Sequence, residues 1–318
     1  MLISIAMATY NGEKFIRQQL DSILLQSFAD FELIICDDCS YDVTVEIIKQ
    51  YQQKDSRINL YQNEKNLGFK KNFEKIISLC KGDYIALCDQ DDIWTKDHLE
   101  ILLKEIKSFD CVSANALLID EKGESIGITM RDFIPIHLIP KDRNLLFRHE
   151  VYGNIVQGAA SMFSRDLLMK ALPIPDSVKY HDWWFALIAC EYKGCKYIDK
   201  IVLNYRRHES NATQCPAFGI KEAIKLLFGK SDVVNRRISY SETDAALAAL
   251  LNLQLHEKHI KIATTAQKFY HSLATSQSRI WAFIHYISHY DQIQLDSRKR
   301  LFPFVYRSIL LLLRGIKL

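Results

Sequence analysis

The chain has 318 residues, of which 48% are hydrophobic and 25% charged, and its formal net charge is +3. These values are ordinary for a soluble globular protein and give no basic excess of the kind that nucleic-acid binding needs, so we expect no nucleic-acid partner. Only 6 Pro and 11 Gly argue against long disordered linkers, and the length allows one large domain and a smaller one.

The first twelve residues, MLISIAMATYNG, contain neither a basic leader nor a long apolar run, so we expect no secretory signal. The eight Cys are scattered, and the one CxxC, at 36–39, has no second pair and no nearby His to complete a zinc site. Reduced thiols and a cytoplasmic chain are therefore expected.

The first part of the chain alternates four times between strand and helix patterns. Short apolar runs predict strands at 2–9, 31–38, 58–63 and 83–89. Apolar residues at helical spacing predict a helix after each of the first three strands, with Ser40 as the N-cap of the second. This alternation predicts an α/β fold, with a parallel sheet whose strands end at one ligand-binding edge.

The middle of the chain alternates less regularly. Its patterns predict a strand at 110–120, a strand entering a helix at 156–172, a helix at 181–194, and one or two strands at 195–208. Beyond residue 213 the sequence has helical periods and little strand signal. We therefore divide the chain into a domain of residues 1–213 and a helical region of residues 214–318.

The balance between basic and acidic residues changes at the same boundary. Residues 1–213 hold 26 Lys and Arg against 31 Asp and Glu, whereas residues 214–318 hold 15 against 7. The stretch 298–318, RKRLFPFVYRSILLLLRGIKL, joins a basic cluster to an apolar run that is too short to span a bilayer. It predicts peripheral contact with the cytoplasmic face of the inner membrane. The alternatives are a helix packed on the domain and an oligomer contact.

Three carboxylates, Asp89, Asp91 and Asp92, follow the fourth predicted strand in the stretch ALCDQDDIW. Like charges this close repel, and each is costly to remove from water without a partner, so the cluster needs a positive group. Mg²⁺ or Mn²⁺ suits such a cluster because both prefer carboxylate oxygen. The alternative is that Asp91 or Asp92 caps a following helix.

Two other strands also end in polar residues, with ATYNG after the first strand and CDD after the second. On a parallel sheet these ends converge with the acidic cluster. The first strand–helix turn, TYNGEKF, contains no GxGxxG, and the chain has no Walker A motif. This pattern argues against a dinucleotide-binding protein and against a P-loop nucleotide hydrolase.

Five motifs together resemble the family-2 glycosyltransferases, which are inverting enzymes with the GT-A fold. In chain order they are ATYNGEKFIRQQLDSILLQSF, FELIICDDCS, NLGFKKNFEKI, GDYIALCDQDDIW and YHDWWFALIA, and they cover roughly residues 1–210. DQDDIW and HDWW are most similar to the rhamnosyltransferase-like branch, which builds bacterial surface polysaccharides. The resemblance implies a mixed, mostly parallel sheet flanked by helices, with a C-terminal α-helical region.

The same resemblance assigns residues to the nucleotide-sugar donor and to a metal ion. The implied donor-binding residues are Thr9, Tyr10, Asp38, Asn66, Gly68 and Asp89. Asp38 would accept a hydrogen bond from the pyrimidine N3–H, which uracil and thymine share, and a plain turn is the alternative for NLGF. Asp91 and His208 would hold the Mg²⁺ or Mn²⁺, with a surface position as the alternative for His208.

On the acceptor side, the resemblance implies that Asp182 is the base that takes the proton of the acceptor hydroxyl. A helix N-terminus favours its ionised form, and helix capping is the alternative role. The implied acceptor-binding residues are Gln157, Gly158, His181, Trp183 and Trp184. Of the two Trp, which point about 100° apart on a helix, one is expected in the core.

These expectations describe a metal-dependent inverting glycosyltransferase. Its donor would be dTDP-rhamnose first and a UDP-hexose second, and its acceptor a surface glycan, lipid-linked in such enzymes. One rival is a sugar-1-phosphate nucleotidyltransferase, although TYNGEKF lacks the glycine-rich basic loop that such an enzyme needs. The other is a sugar-nucleotide-binding protein without transferase activity, although Asp91 and Asp182 are both present.

Overall fold

A computed structural model describes residues 1–208, 231–275 and 279–288. The chain forms two compact units. The first comprises residues 1–132, 155–174 and 180–208, and the second comprises residues 133–154 and 175–179 together with the C-terminal part. The predicted boundary between residues 213 and 214 and the basic stretch 298–318 lie outside the described residues.

The first unit is built on one sheet. Its strands are β1 (Ile3–Thr9), β2 (Phe31–Asp37), β3 (Ile58–Gln62), β4 (Tyr84–Cys88), β5 (Ile93–Trp94), β6 (Cys111–Ile119), β7 (Ser125–Thr129), β8 (Ser161–Ser164) and β9 (Cys195–Arg206). Its helices are α1 (Ile16–Leu24), α2 (Thr44–Gln52), α3 (Phe69–Leu79), α4 (His98–Ile106), α6 (Arg165–Ala171) and α7 (His181–Glu191).

The strand order is β3-β2-β1-β4-β8-β6-β9-β5, with β7 paired to β6. β3, β2, β1 and β4 run parallel to one another. β8 is antiparallel to both β4 and β6, and β6 is parallel to β9, so β6 and β9 share the direction of β4. Six strands of this sheet therefore point the same way, which confirms the predicted mixed, mostly parallel sheet flanked by helices.

The alternation of apolar residues explains why the first elements form. In β1, Ile3, Ile5 and Met7 on one face and Ser4 and Ala6 on the other are all fully buried, because a parallel strand between two layers of helices is covered on both faces. In α1, Ile16, Leu20 and Ile23 are also fully buried, which is the i, i+4, i+7 spacing of one helix face.

One local prediction is wrong, and one alternative is excluded. Ser40 does not cap α2: the helix begins at Thr44, and Ser40 instead donates its main-chain N–H and its hydroxyl to Asp37. Neither Asp91 nor Asp92 caps a helix, because β5 follows them and α4 begins only at His98. The segment 195–208, predicted as one or two strands, contains the single long strand β9.

The second unit is helical where it is described. Its helices are α5 (Arg143–Tyr152), α8 (Ser231–Leu251), α9 (Glu257–Thr275) and α10 (Arg279–Ser288), which confirms the predicted C-terminal helices. Tyr152 contacts two of them, because its hydroxyl lies 2.8 Å from Nε2 of His285 and its carbonyl accepts from the hydroxyl of Tyr270. Within the described ranges, no helix has both the length and the apolar character required to cross a bilayer.

Candidate active site

Polar side chains collect where the strands of the parallel part end. Thr9 and Asp37 are paired across β1 and β2, and Met7 and Cys88 are paired across β1 and β4. Asp38 and the acidic segment 89–92 therefore follow neighbouring strands at one edge of the sheet. β9 has the same direction, so Arg206 and His208 reach that edge too, while antiparallel β8 starts there.

Asp38 organises the loop that follows β3. Its side chain is 3% exposed, with Oδ1 accepting from the Asn63 amide and from the Leu67 N–H, and Oδ2 accepting from the Gly68 N–H at 2.8 Å. The side chain of Asn66 closes the loop by donating to the main-chain carbonyl of Asp38. These hydrogen bonds hold the NLGF loop beside the carboxylate.

The first strand–helix turn is held against the acidic segment. The amide of Gln90 accepts from the Tyr10 N–H at 2.9 Å and donates to the Tyr10 carbonyl at 3.0 Å. The ring of Tyr10 is exposed and meets the ring of Tyr41 edge-on. Thr9 is buried, and its hydroxyl donates to Asp37, so Thr9 supports the turn from below.

The acidic segment carries strong mutual repulsion. Removal from water, together with the negative charges of Asp91 and Asp182, raises the pKa of Asp89 to about 7. Burial and the charges of Asp91 and Asp89 also raise the pKa of Asp92, which is fully buried. One Asp92 oxygen accepts from the Arg206 N–H, and the other, Oδ2, has no hydrogen-bond partner among the described residues.

The positive group within this cluster is Arg206. Its side chain is fully buried, which lowers the pKa of the guanidinium even though the surrounding carboxylates oppose that shift. Its Nε donates to the Asp91 carbonyl at 2.8 Å. The cluster thus has a permanent counter-charge supplied by the chain itself, in addition to the metal ion that the sequence predicted.

Asp91 and His208 form the pair that was predicted to hold the metal. Oδ2 of Asp91 and Nε2 of His208 lie 2.8 Å apart, and their side chains are 15% and 9% exposed. Neighbouring ligands of an octahedral ion with bonds of about 2.1 Å lie about 3 Å apart, so this pair fits two positions of one such ion. In the described part of the chain, no group of three or more His, Cys, Asp or Glu could hold a metal. Further ligands would come from bound phosphate oxygens or water.

Asp182 lies in the first turn of α7 and is held by two main-chain donors. Its Oδ2 accepts from the Gly158 N–H at 3.0 Å, and its Oδ1 accepts from the Trp183 N–H at 2.7 Å. Gly158 belongs to the turn immediately before β8, the strand paired with β4. Asp182 is also close enough to Asp89 for its charge to raise the pKa of that residue. Asp182 and the acidic segment therefore face one space.

The aromatic residues of HDWW mainly fill the core. Trp184 is 2% exposed and donates its indole N–H to the carbonyl of Ala171, while Trp183 is 7% exposed. His181 stacks on Phe73 with ring centroids 4.2 Å apart, and burial lowers its pKa, so the imidazole is neutral. Both Trp rings are thus covered by the protein, whereas Nδ1 of His181 has no partner in the described residues.

Gln157 is the remaining predicted acceptor residue. Its main-chain N–H donates to Ser113, but both polar atoms of its side-chain amide are buried without a hydrogen-bond partner in the described ranges. A buried amide in this state loses its bonds to water without replacement, which costs roughly 1–3 kcal/mol. It adjoins Gly158, so it provides one donor and one acceptor next to Asp182.

Several residues of this edge were not among the predicted site residues. They are Asn63, Gln90, Asp92 and Arg206, together with Gln19, whose amide donates to the Asp89 carbonyl. Asp92 was recognised as one of the three acids of DQDD but was given no role in the site, and Gln90 lies between the other two. No local pattern marks Asn63 or Gln19, because their roles depend on strands and helices distant in sequence.

Comparison with known proteins agrees with this geometry. Two relatives are an uncharacterized glycosyltransferase, MJ1057, of Methanocaldococcus jannaschii, and the dTDP-rhamnosyl transferase RfbG of Shigella flexneri. MJ1057 is 31% identical over 214 residues, which are 64% of this chain and 70% of the relative. RfbG is 29% identical over 220 residues, which are 64% of this chain and 72% of the relative.

A solved structure shares the fold. The crystal structure of TarS residues 1–349 from S. aureus in complex with UDP-GlcNAc superposes with a TM-score of 0.57 at 18% identity. The match covers 92% of this chain and 88% of that structure, and it confirms the GT-A fold. The family model named "Glycosyl transferase family 2" matches residues 4–172, more than half of the chain. The chain therefore belongs to glycosyl transferase family 2 and is a glycosyltransferase.

Proposed function

We propose that this glycosyltransferase moves a sugar, with inversion, from a pyrimidine nucleotide-sugar to a hydroxyl of a growing bacterial surface glycan such as O-antigen, capsule or lipooligosaccharide. dTDP-rhamnose is the first candidate donor and a UDP-hexose the second. The name of RfbG supports the first, and the UDP-GlcNAc complex of TarS supports the second. The acceptor would be lipid-linked and used at the cytoplasmic face of the membrane.

On the donor side, the nucleotide lies over the edge formed by Tyr10, Asp38 and the NLGF loop. Asp38 already accepts three hydrogen bonds, and one further donor, the pyrimidine N3–H, would complete the four acceptor positions of a carboxylate. Asp89 is partly buried and would meet the ribose hydroxyls. Neither residue distinguishes uracil from thymine.

Asp91 and His208 would hold the Mg²⁺ or Mn²⁺. When bound, the ion supplies positive charge to the departing diphosphate, which is Lewis-acid assistance. The two side chains support this role because they offer an oxygen and a nitrogen 2.8 Å apart at the strand edge. Arg206, lying behind Asp91, offsets part of the remaining negative charge.

On the acceptor side, Asp182 takes the proton of the attacking hydroxyl. Its two main-chain donors hold the carboxylate in a fixed direction at the N-terminus of α7, where the helix dipole attracts negative charge. Gln157, which precedes Gly158 in the chain, and His181, the first residue of α7, would orient acceptor hydroxyls. Attack in one step, without a covalent intermediate, needs only this base and a leaving group on the opposite face.

One observation carries the proposal: Asp182 accepts from the Gly158 N–H in the turn that leads into β8, and β8 pairs with β4, which ends immediately before Asp89. This arrangement brings the base and the donor acids to one edge of the sheet although they lie far apart in sequence. A binding protein without activity has no need of such a carboxylate opposite its nucleotide. A nucleotidyltransferase would need a basic phosphate loop after β1, and this turn reads TYNGEKF.

The test is a donor panel followed by two matched variants. Purified protein with Mn²⁺ is heated with dTDP-, UDP- and GDP-sugars, and we expect thermal protection by the pyrimidine sugars only. Asp182→Asn should then abolish nucleotide release from the protective donor while leaving its affinity unchanged. Asp166→Asn is the control, since Asp166 is an exposed acid in the first turn of α6. Protection by GDP-sugars alone, or full turnover by Asp182→Asn, would contradict the proposal.

A further inference from the structure

Arg206 connects four parts of the first unit at the point where the acidic segment ends. Its main-chain N–H donates to Oδ1 of Asp92, and its Nε donates to the carbonyl of Asp91. Strand β9 is thereby attached to the segment 91–92 at two points. At the other end of the guanidinium, the two terminal nitrogens donate to the Glu121 carbonyl at 3.0 Å and to the Gln18 amide oxygen at 2.6 Å.

The position of Arg206 bears directly on His208, which follows two residues later. Phe15 lies under both side chains, with its ring centroid 4.8 Å from the Arg206 guanidinium carbon and 4.9 Å from the His208 ring centroid. The Arg206 guanidinium group therefore contacts the main chain of Asp91 directly. It also packs on the same Phe15 ring as His208. The fully buried Arg206 side chain thus lies against both members of the pair whose side-chain atoms are 2.8 Å apart.

We propose that Arg206 is a positioning residue, which holds Asp91 and His208 at the spacing needed to share one divalent ion. This inference rests on the proposed metal site. It differs from a role on the substrate, because the Arg206 donors are directed to Asp91, Glu121 and Gln18. A lysine would preserve the charge, but its single ammonium cannot reproduce the rigid fork of donors.

The test measures Mn²⁺ binding rather than turnover. Free Mn²⁺ is followed by electron paramagnetic resonance as it is titrated into the protein with UDP or with dTDP present. We expect Arg206→Lys to raise the dissociation constant of Mn²⁺ about 10- to 100-fold, the usual effect of losing a residue that supports metal ligands. Nucleotide affinity measured without metal should change much less.

Arg131→Lys is the matched control. Arg131 is also buried, lies over the ring of Tyr197, and donates to the carbonyls of Ser113 and Ala114 in β6. A purely structural role predicts that both variants lose stability while their Mn²⁺ dissociation constants stay equal, and that result would overturn the inference. A wild-type protein that binds no Mn²⁺ with either nucleotide would instead contradict the proposed metal site itself.

A milder variant covers the case in which Arg206→Lys does not fold. Gln18 is exposed on α1, so Gln18→Ala removes one acceptor of Arg206 without opening the core. We expect it to weaken Mn²⁺ binding severalfold, whereas Arg17→Ala, which removes a contact to Gln50, should leave it unchanged. Equal Mn²⁺ affinity in Gln18→Ala and Arg17→Ala would count against the inference.

Discussion

The main-chain N–H of Gly158 donates to Oδ2 of Asp182, at 3.0 Å. The turn before β8 thereby positions the first acidic side chain of α7, although 24 residues separate the two in the chain. A Cβ added to Gly158 would lie 3.3 Å from both Cβ and Oδ2 of Asp182, closer than an ordinary contact. The smallest residue is thus needed where the loop approaches the carboxylate.

Gly158→Ala should therefore impair turnover without impairing nucleotide binding. The methyl group must displace Asp182 by a few tenths of an ångström, and errors in the placement of a catalytic group cost up to about 100-fold in rate. We expect kcat to fall about 10-fold and the dissociation constant of the donor nucleotide to stay within twofold. An unchanged kcat would mean that the base is not held by this turn.

Asp38 and Asp37 provide a second, paired prediction. In Asp38→Asn, the new NH₂ must face either the Gly68 N–H or the donors of Asn63 and Leu67, which leaves buried donors unpaired and costs roughly 1–3 kcal/mol. In Asp37→Asn, the hydroxyls of Thr9 and Ser40 can turn to accept instead.

We therefore expect Asp38→Asn to weaken nucleotide binding at least 10-fold and to lower stability more than Asp37→Asn. Calorimetric titration with UDP and dTDP, together with urea unfolding of both variants, measures the two effects. If Asp37→Asn loses as much nucleotide affinity as Asp38→Asn, the assignment of the base-binding acid is wrong.

The sequence predicted the sheet well because local patterns decide it. Strands β1 to β4 and their helices follow from apolar runs and 3.6-residue spacing, and their ends carry the acids that the motifs indicated. The same patterns did not indicate α5 (Arg143–Tyr152), where polar residues separate two short apolar blocks, LLF and VY. They also suggested Ser40 as the N-cap of α2, whereas in the structure the Ser40 hydroxyl donates to Asp37.

What sequence patterns could not supply is the connection between distant segments. Arg206 is only one of two adjacent arginines in NYRRH, and nothing local distinguishes the buried one from its neighbour. Its burial follows from the pairing of β9 with β6, which carries Arg206 beside Ile119 and next to the acidic segment. Sequence patterns identify the acids, but they do not show that the Arg206 guanidinium is buried beside them.

Gly68 tests the backbone of the nucleotide loop. Its φ of 78° with ψ of 155° lies in a region that essentially only glycine adopts, while an added Cβ would meet nothing within 4 Å. Gly68→Ala should therefore cost about 1–3 kcal/mol through backbone strain alone and weaken nucleotide binding. Gly153→Ala is the control, because its surroundings are equally open and its φ of −170° suits any residue. Equal stability of the two variants in urea would show that the loop relaxes freely.

His98 predicts a pH dependence of stability that is independent of the active site. Its Nδ1–H donates to the Val202 carbonyl at 2.9 Å, its ring stacks on Trp94 at 3.7 Å, and Nε2 has no partner among the described residues. Burial lowers the pKa of this imidazole from 6.5 to about 3, although the Val202 bond and the charge of Asp97 oppose the shift.

In the unfolded chain His98 binds a proton near pH 6.5, whereas in the folded chain it binds one only near pH 3. Because the unfolded state binds more protons between these values, the free energy of unfolding decreases as the pH falls through this window. Between pH 7 and pH 5 this single group should remove about 2 kcal/mol of unfolding free energy, at 1.36 kcal/mol per pH unit below 6.5. His98→Phe keeps the stack on Trp94, and Thr95 still donates twice to the Val202 carbonyl. Urea unfolding of both proteins at several pH values isolates the effect. The variant should gain stability relative to wild type as the pH falls. Parallel curves of unfolding free energy against pH would show that His98 is protonated in the folded protein.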